Sequence, residues 1–125
     1  MRLAVVSLIA LAFAAPAAAQ NMNAETFHQR ATKLKGKGAL AVFSASEIKT
    51  LMREGQAAGQ SSKALYEADK KAGRRPRFCP PPGKQAMGSN EFMQSLAAIP
   101  QTERRQIDMT EAMTRIFAAK FPCAA

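Results

Sequence analysis

Tryptophan is missing from the 125-residue chain, tyrosine and histidine occur once each, and cysteine only twice. Each scarcity removes a class of chemistry. His28 is a lone imidazole with no cysteine neighbour and no local carboxylate cluster, so it makes no metal site. As a general base it would need a nucleophile within reach, and none is indicated. No G-x-S-x-G, phosphate-loop or dinucleotide motif occurs. Cys79 and Cys123 are too far apart for a C-x-x-C redox pair. The nine acidic residues are scattered, and nothing in their spacing pairs two of them for acid-base work. The sequence therefore reads as non-enzymatic, with no cofactor and no metal.

Acidic side chains are also scarce relative to basic ones, nine against eighteen, giving a formal charge of +9. A surplus of that sign favours an acidic protein, an anionic lipid surface or nucleic acid as partner. Nucleic acid is disfavoured because the basic residues lack the interleaved aromatics of a single-strand binder and because the N-terminus reads as an export signal. Solubility alone is the plainer explanation of the charge.

The chain opens with Arg2, an apolar run from Leu3 to Ala15, Pro16, and the small residues Ala17-Ala18-Ala19. This is the pattern of a cleavable secretory signal, with Gln20 as the expected first mature residue. Thirteen apolar residues are fewer than the ~20 a spanning helix needs. Residues 1–19 are thus expected to be a signal peptide and 20–125 a single soluble domain, periplasmic or secreted, with no stable membrane anchor. The expected mature charge is a formal +8, seventeen basic residues against nine acidic. An even cysteine count in an exported chain implies a Cys79–Cys123 disulfide.

The pattern beyond Gln20 is helical nearly throughout. Asn23 can cap a helix from Ala24, with Phe27, Ala31 and Leu34 on one face and Gly36 and Gly38 at its end. Ala39 to Phe43 reads as a short apolar turn plugging the core. Ser44 and Glu47 have capping-box spacing for a second helix running to about Ala58. Gly55 and Gly59 mark either a close helix approach or fraying. Ser61 or Ser62 can cap a third helix through Leu65, Tyr66 and Ala68, ending at Lys70, Lys71 and Gly73. Prolines 76, 80, 81 and 82 make Arg74 to Gly88 irregular. Ser89 or Asn90 can cap a fourth helix, and after Pro100 a last one starts near Thr102. The expected fold is all-α, a small bundle of four to five short helices with one disulfide. Met109 and Met113 fall on the apolar stripe, which favours core packing over Cu(I) ligation.

The densest charge cluster is Lys70, Lys71, Arg74, Arg75 and Arg77, beside the proline segment and Cys79. It is the expected contact for an acidic partner, since arginine suits carboxylate pairing; its alternative is a solvated connection.

The C-terminal half reads Phe78-Cys79-Pro80-Pro81-Pro82, a helix with Phe92 and Leu96, Ile99-Pro100, then a second helix closing with Ala118-Ala119-Lys120-Phe121-Pro122-Cys123. Residues 78–123 thereby resemble the type VI secretion immunity proteins of the Rap/Tai type. The resemblance implies a small exported helical protein that binds and blocks a peptidoglycan-cleaving amidase effector. Members usually carry an additional upstream cysteine pair, near a stretch comparable to Leu51–Gly59, which holds no cysteine here. Only Cys79 and Cys123 carry over, as a structural bond. A holdase-like periplasmic chaperone and a protein acting on anionic surfaces are the other readings, and a homodimer is compatible with any of the three.

Overall fold

Asn23 sets the first helix. In the computed structural model, which describes residues 21–124, its side chain accepts from the amides of Glu25 and Thr26 and caps α1, Ala24–Gly36. Its own amide nitrogen donates to the carbonyls of Arg105 and Ile107, at 3.0 and 3.3 Å. One side chain therefore satisfies two orphan helix donors and ties the start of the domain to a turn more than eighty residues later. The isolated antiparallel bridge Asn23–Asp108 completes that seam; among the described residues there is no strand. The signal-peptide reading of residues 1–19 lies outside the described residues.

A 3-10 segment, Gly38–Ser44, leads into α2, Ala45–Lys71. The remaining helices are α3, Ser89–Ala98; a single turn α4, Gln101–Arg104; and α5, Met109–Lys120. The expected all-α bundle with one disulfide is what forms. Packing centres on α2 against α5, and the core comprises Phe27, Leu51, Ala58, Leu96, Ile99, Met109, Ala112, Met113 and Ile116. Met109 and Met113 are indeed buried in it.

Several local expectations fail. The second and third helices are one 27-residue helix, about 40 Å long at ~1.5 Å per residue. Its buried stripe of Leu51, Glu54, Ala58 and Ser62 runs straight through the supposed break. Ser62 does not cap; its hydroxyl meets that of Thr114 on α5 at 2.8 Å in the interior. Thr114 donates to the Thr110 carbonyl, which leaves Ser62 as the donor of the pair. Gly55 and Gly59 mark neither a helix end nor a close approach, because a Cβ at either would meet nothing within 4 Å.

The Ser44–Glu47 capping box does not form. Ser44 accepts from the Lys37 ammonium at 2.9 Å, and Glu47 takes the Arg30 guanidinium on both oxygens. The Ala39–Phe43 stretch does not plug the core; no residue of the 3-10 segment is buried. Finally, the last helix is split. Pro100 initiates α4, and Asp108, accepting from the Glu111 amide at 2.8 Å, caps α5 afresh. α3 has Gly88 at its cap, with neither Ser89 nor Asn90 in that role.

The break before α5 lets Arg104 turn inward. Its Nε donates to Glu25 Oε2 at 2.6 Å and its Nη1 to the carbonyls of Ala97 and Ile99. Gln29 and Gln101 donate to the other Glu25 oxygen. Buried ions are tolerated where such bonds satisfy them, and here they join α1, α3 and α4. The Arg104 hydrogen bond is the main reason the Glu25 carboxyl is lowered to about 2.

Candidate functional site

The C-terminal end of α2 closes in a Schellman motif. Gly73, at φ +69°, takes the left-handed position, its amide donates to the Lys70 carbonyl and that of Arg74 to the Asp69 carbonyl. The proline segment, residues 74–88, starts there and is fixed at both ends. At its beginning Phe78 is buried, stacked on Tyr66 with centroids 5.3 Å apart and tilted against Phe117 at 5.2 Å. Cys79 is bonded to Cys123, Cα to Cα 4.9 Å, as expected, and its amide donates to the Phe121 carbonyl at 2.8 Å. At its far end the Lys120 ammonium donates to the Ala86 carbonyl at 3.2 Å and to Glu91 at 2.7 Å. Between these anchors Pro81 to Gln85 stands exposed, with Gln85 reaching back to the Pro81 carbonyl at 3.4 Å. The prolines fix φ and remove backbone donors, and Gly83, at φ +95°, turns the chain after them.

A groove of about 670 Å³ runs beside this tip, between α2 and the end of α5. Tyr66, Phe78, Phe117 and Phe121 supply its apolar wall, and four lysines, Lys63, Lys70, Lys84 and Lys120, with one acid, Glu67, its charge. A second groove of about 790 Å³ between α1, α2 and α3 is more apolar, with Phe27, Leu34, Leu51, Met87, Phe92 and Met113 in its walls.

The five expected contact residues are brought to one region but are used unequally. Arg77 makes a fork to Glu111, 2.6 and 2.8 Å. Glu111 also accepts from Arg115 and is lowered to about 2, the Arg77 hydrogen bond being the largest cause. Arg74 pairs with Asp69 at 2.9 Å, and Arg75 donates to the Ala124 carbonyl. Lys70 lies over the Tyr66 ring, 5.2 Å from its centroid. The guanidinium groups are thus engaged within the molecule, and the exposed lysines of the groove carry the outward charge. Sequence reasoning missed the aromatic cluster behind the disulfide. Its signal was present: Phe78 precedes one cysteine, and Phe121 lies two residues before the other.

Nothing in this region pairs a nucleophile with a base. His28 sits on α1, its pKa lowered by burial and secondarily by the Arg104 charge. Among the described residues no three His, Cys, Asp or Glu side chains gather as a metal site, and no helix is long and apolar enough to cross a membrane. The class that fold and site define is a small all-α protein closed by one disulfide. Compared with protein-family models, curated proteins and solved structures, the chain matches none of them.

Proposed function

We propose that the protein is an exported, non-enzymatic binding protein that works by occlusion, in the manner of an immunity protein against a peptidoglycan amidase effector. The observation that carries this reading is the exposed proline tip, Pro81 to Gln85, fixed at one end by the disulfide and the Phe78 stack and at the other by Lys120. An element already held in one shape loses little entropy when it enters a cleft. The lysines along its flank would draw it towards an acidic cleft and speed association at low salt. The tip, with Lys63 and Lys84 beside it, replaces Arg74 and Arg77 as the proposed contact, because those two are already paired with Asp69 and Glu111 and Lys120 with Glu91.

The test is capture of partners from envelope extract, followed by a tip variant, Pro81→Gly, Pro82→Gly and Lys84→Glu together. The variant should stay folded, melting several degrees lower because glycine loosens the unfolded chain, and bind the captured partner at least about tenfold more weakly, with slower association. Arg74→Ala should leave binding nearly unchanged. A tip variant that binds as well as the parent removes this reading.

A further inference from the structure

Among the described residues, the most exposed large apolar side chains are gathered on one short stretch. Leu40 is 65% exposed, Val42 69% and Phe43 85%. All three belong to the 3-10 segment Gly38–Ser44. A 3-10 turn has about three residues, so Leu40 and Phe43 stand above one another on the same side. Scattered surface hydrophobics need no explanation, but three on seven residues do. The segment is also built to hold them outward. Gly38, at φ +55°, turns the chain out of α1. The Lys37 ammonium then donates to the Ser44 hydroxyl at 2.9 Å, closing the base of the segment.

Charge surrounds the patch on one sign only. Residues 33–53 contain Lys33, Lys35, Lys37, Lys49 and Arg53 against a single acid, Glu47. Glu47 is consumed by Arg30. Among the described residues none of those five cations lies within ion-pair distance of a carboxylate. An exposed apolar segment flanked in sequence by lysines fits a water–lipid boundary. Leucine, valine and phenylalanine enter the upper acyl region while the long lysine stems bring their ammonium groups up to the headgroups. Anionic headgroups add an attraction for each basic residue close to the surface.

We propose that Gly38–Ser44 and its flanking lysines form a docking element for an anionic lipid surface. The segment is seven residues long, so it dips into the interface and leaves the protein peripheral and reversibly bound. It precedes α2 whereas the proline segment follows it, and Gly38 and Ala41 line the same groove as Gln85 of the proline tip.

Flotation of the protein comprising residues 20–125 with phosphatidylcholine vesicles, with and without phosphatidylglycerol, tests it. The protein should float with the phosphatidylglycerol-containing vesicles, stay behind with phosphatidylcholine alone, and be released by added salt. The pair Val42→Ser and Phe43→Ser should weaken vesicle binding roughly tenfold or more, and so should Lys33→Glu with Lys35→Glu. Both variants alter exposed side chains, and melting within about 2 °C of the parent verifies that they fold. Absence of flotation on phosphatidylglycerol vesicles overturns the proposal. So does retention of full binding by the Val42→Ser and Phe43→Ser variant, which would reduce the interaction to bulk charge.

Discussion

The two ends of α2 carry opposite solutions to the same problem. Near its C-terminus an irregular, proline-rich segment is held by a covalent bond, a buried phenylalanine and a lysine clamp. At its N-terminus a more hydrophobic segment is held by one exposed side-chain hydrogen bond, with no residue buried. Apolar content therefore does not tell which segment joins the core. What decides is whether a partner surface is supplied. Phe78 finds Tyr66 and Phe117 because the disulfide brings residue 79 to residue 123. Phe43 has no such tether; α5 packs on the inner face of α2, and the groove beside the 3-10 segment stays open.

Breaking the tether gives the largest expected effect. Replacing Cys79 and Cys123 by Ser removes closure of a loop with a sequence separation of 44, worth about 4 kcal/mol in the chain-entropy model. Thermal unfolding should shift down by roughly 15 °C or more. Equal melting of the reduced and oxidised proteins would mean that aromatic packing alone fixes this end.

Acid titration is next. Glu25 and Glu111 both have folded pKa values of about 2, below the ordinary 4.5. A depressed carboxylate stabilises the fold above its unfolded pKa and loses that contribution as pH falls towards the folded one. The contribution of these two carboxylates to melting temperature should be intact near pH 5 and be lost progressively from about 4.5 to 2. His28, also lowered, is protonated more readily unfolded than folded, so it adds a separate loss beginning just below 6.5; His28→Gln removes that component. In an Arg104→Ala, Arg77→Ala double variant the drop between 4.5 and 2 should be much shallower. An undiminished drop would place the acid sensitivity elsewhere.

The continuity of α2 between its two ends is tested by Gly59→Ala. A glycine inside a helix costs roughly 0.5–1 kcal/mol relative to alanine, and the site has open space. Melting should rise by a few degrees; a fall would indicate a break there after all. The smallest effect belongs to the exposed end. Phe43→Ala should alter stability by no more than about 0.5 kcal/mol, against roughly 3 kcal/mol or more lost in Phe78→Ala. Comparable losses at the two positions would erase the contrast.

The contrast also marks where sequence reasoning succeeds. The Asn23 cap, the apolar faces carrying Phe27 and, later, Met109 and Met113, the Gly73 terminus and the cysteine pair are local or forced signals, and all were legible. The failures share one cause, competition from distant partners. Ser44 and Glu47 had the spacing of a capping box, but Lys37 and Arg30 took their oxygens. Ser62 had the chemistry of a cap, but Thr114 stood opposite it. The cluster from Lys70 to Arg77 was visible as charge. That Glu111, 34 residues away, would satisfy Arg77 was not.

The central claim is that the tethered end acts by filling a cleft, and inhibition measures it most directly. A peptidoglycan amidase captured with the protein should be titrated with the oxidised protein and with the Pro81→Gly, Pro82→Gly, Lys84→Glu variant. The account predicts near-stoichiometric loss of amidase activity with the parent and at least about tenfold weaker inhibition with the folded variant. An amidase left fully active by saturating parent protein, or inhibited equally by both, would contradict it.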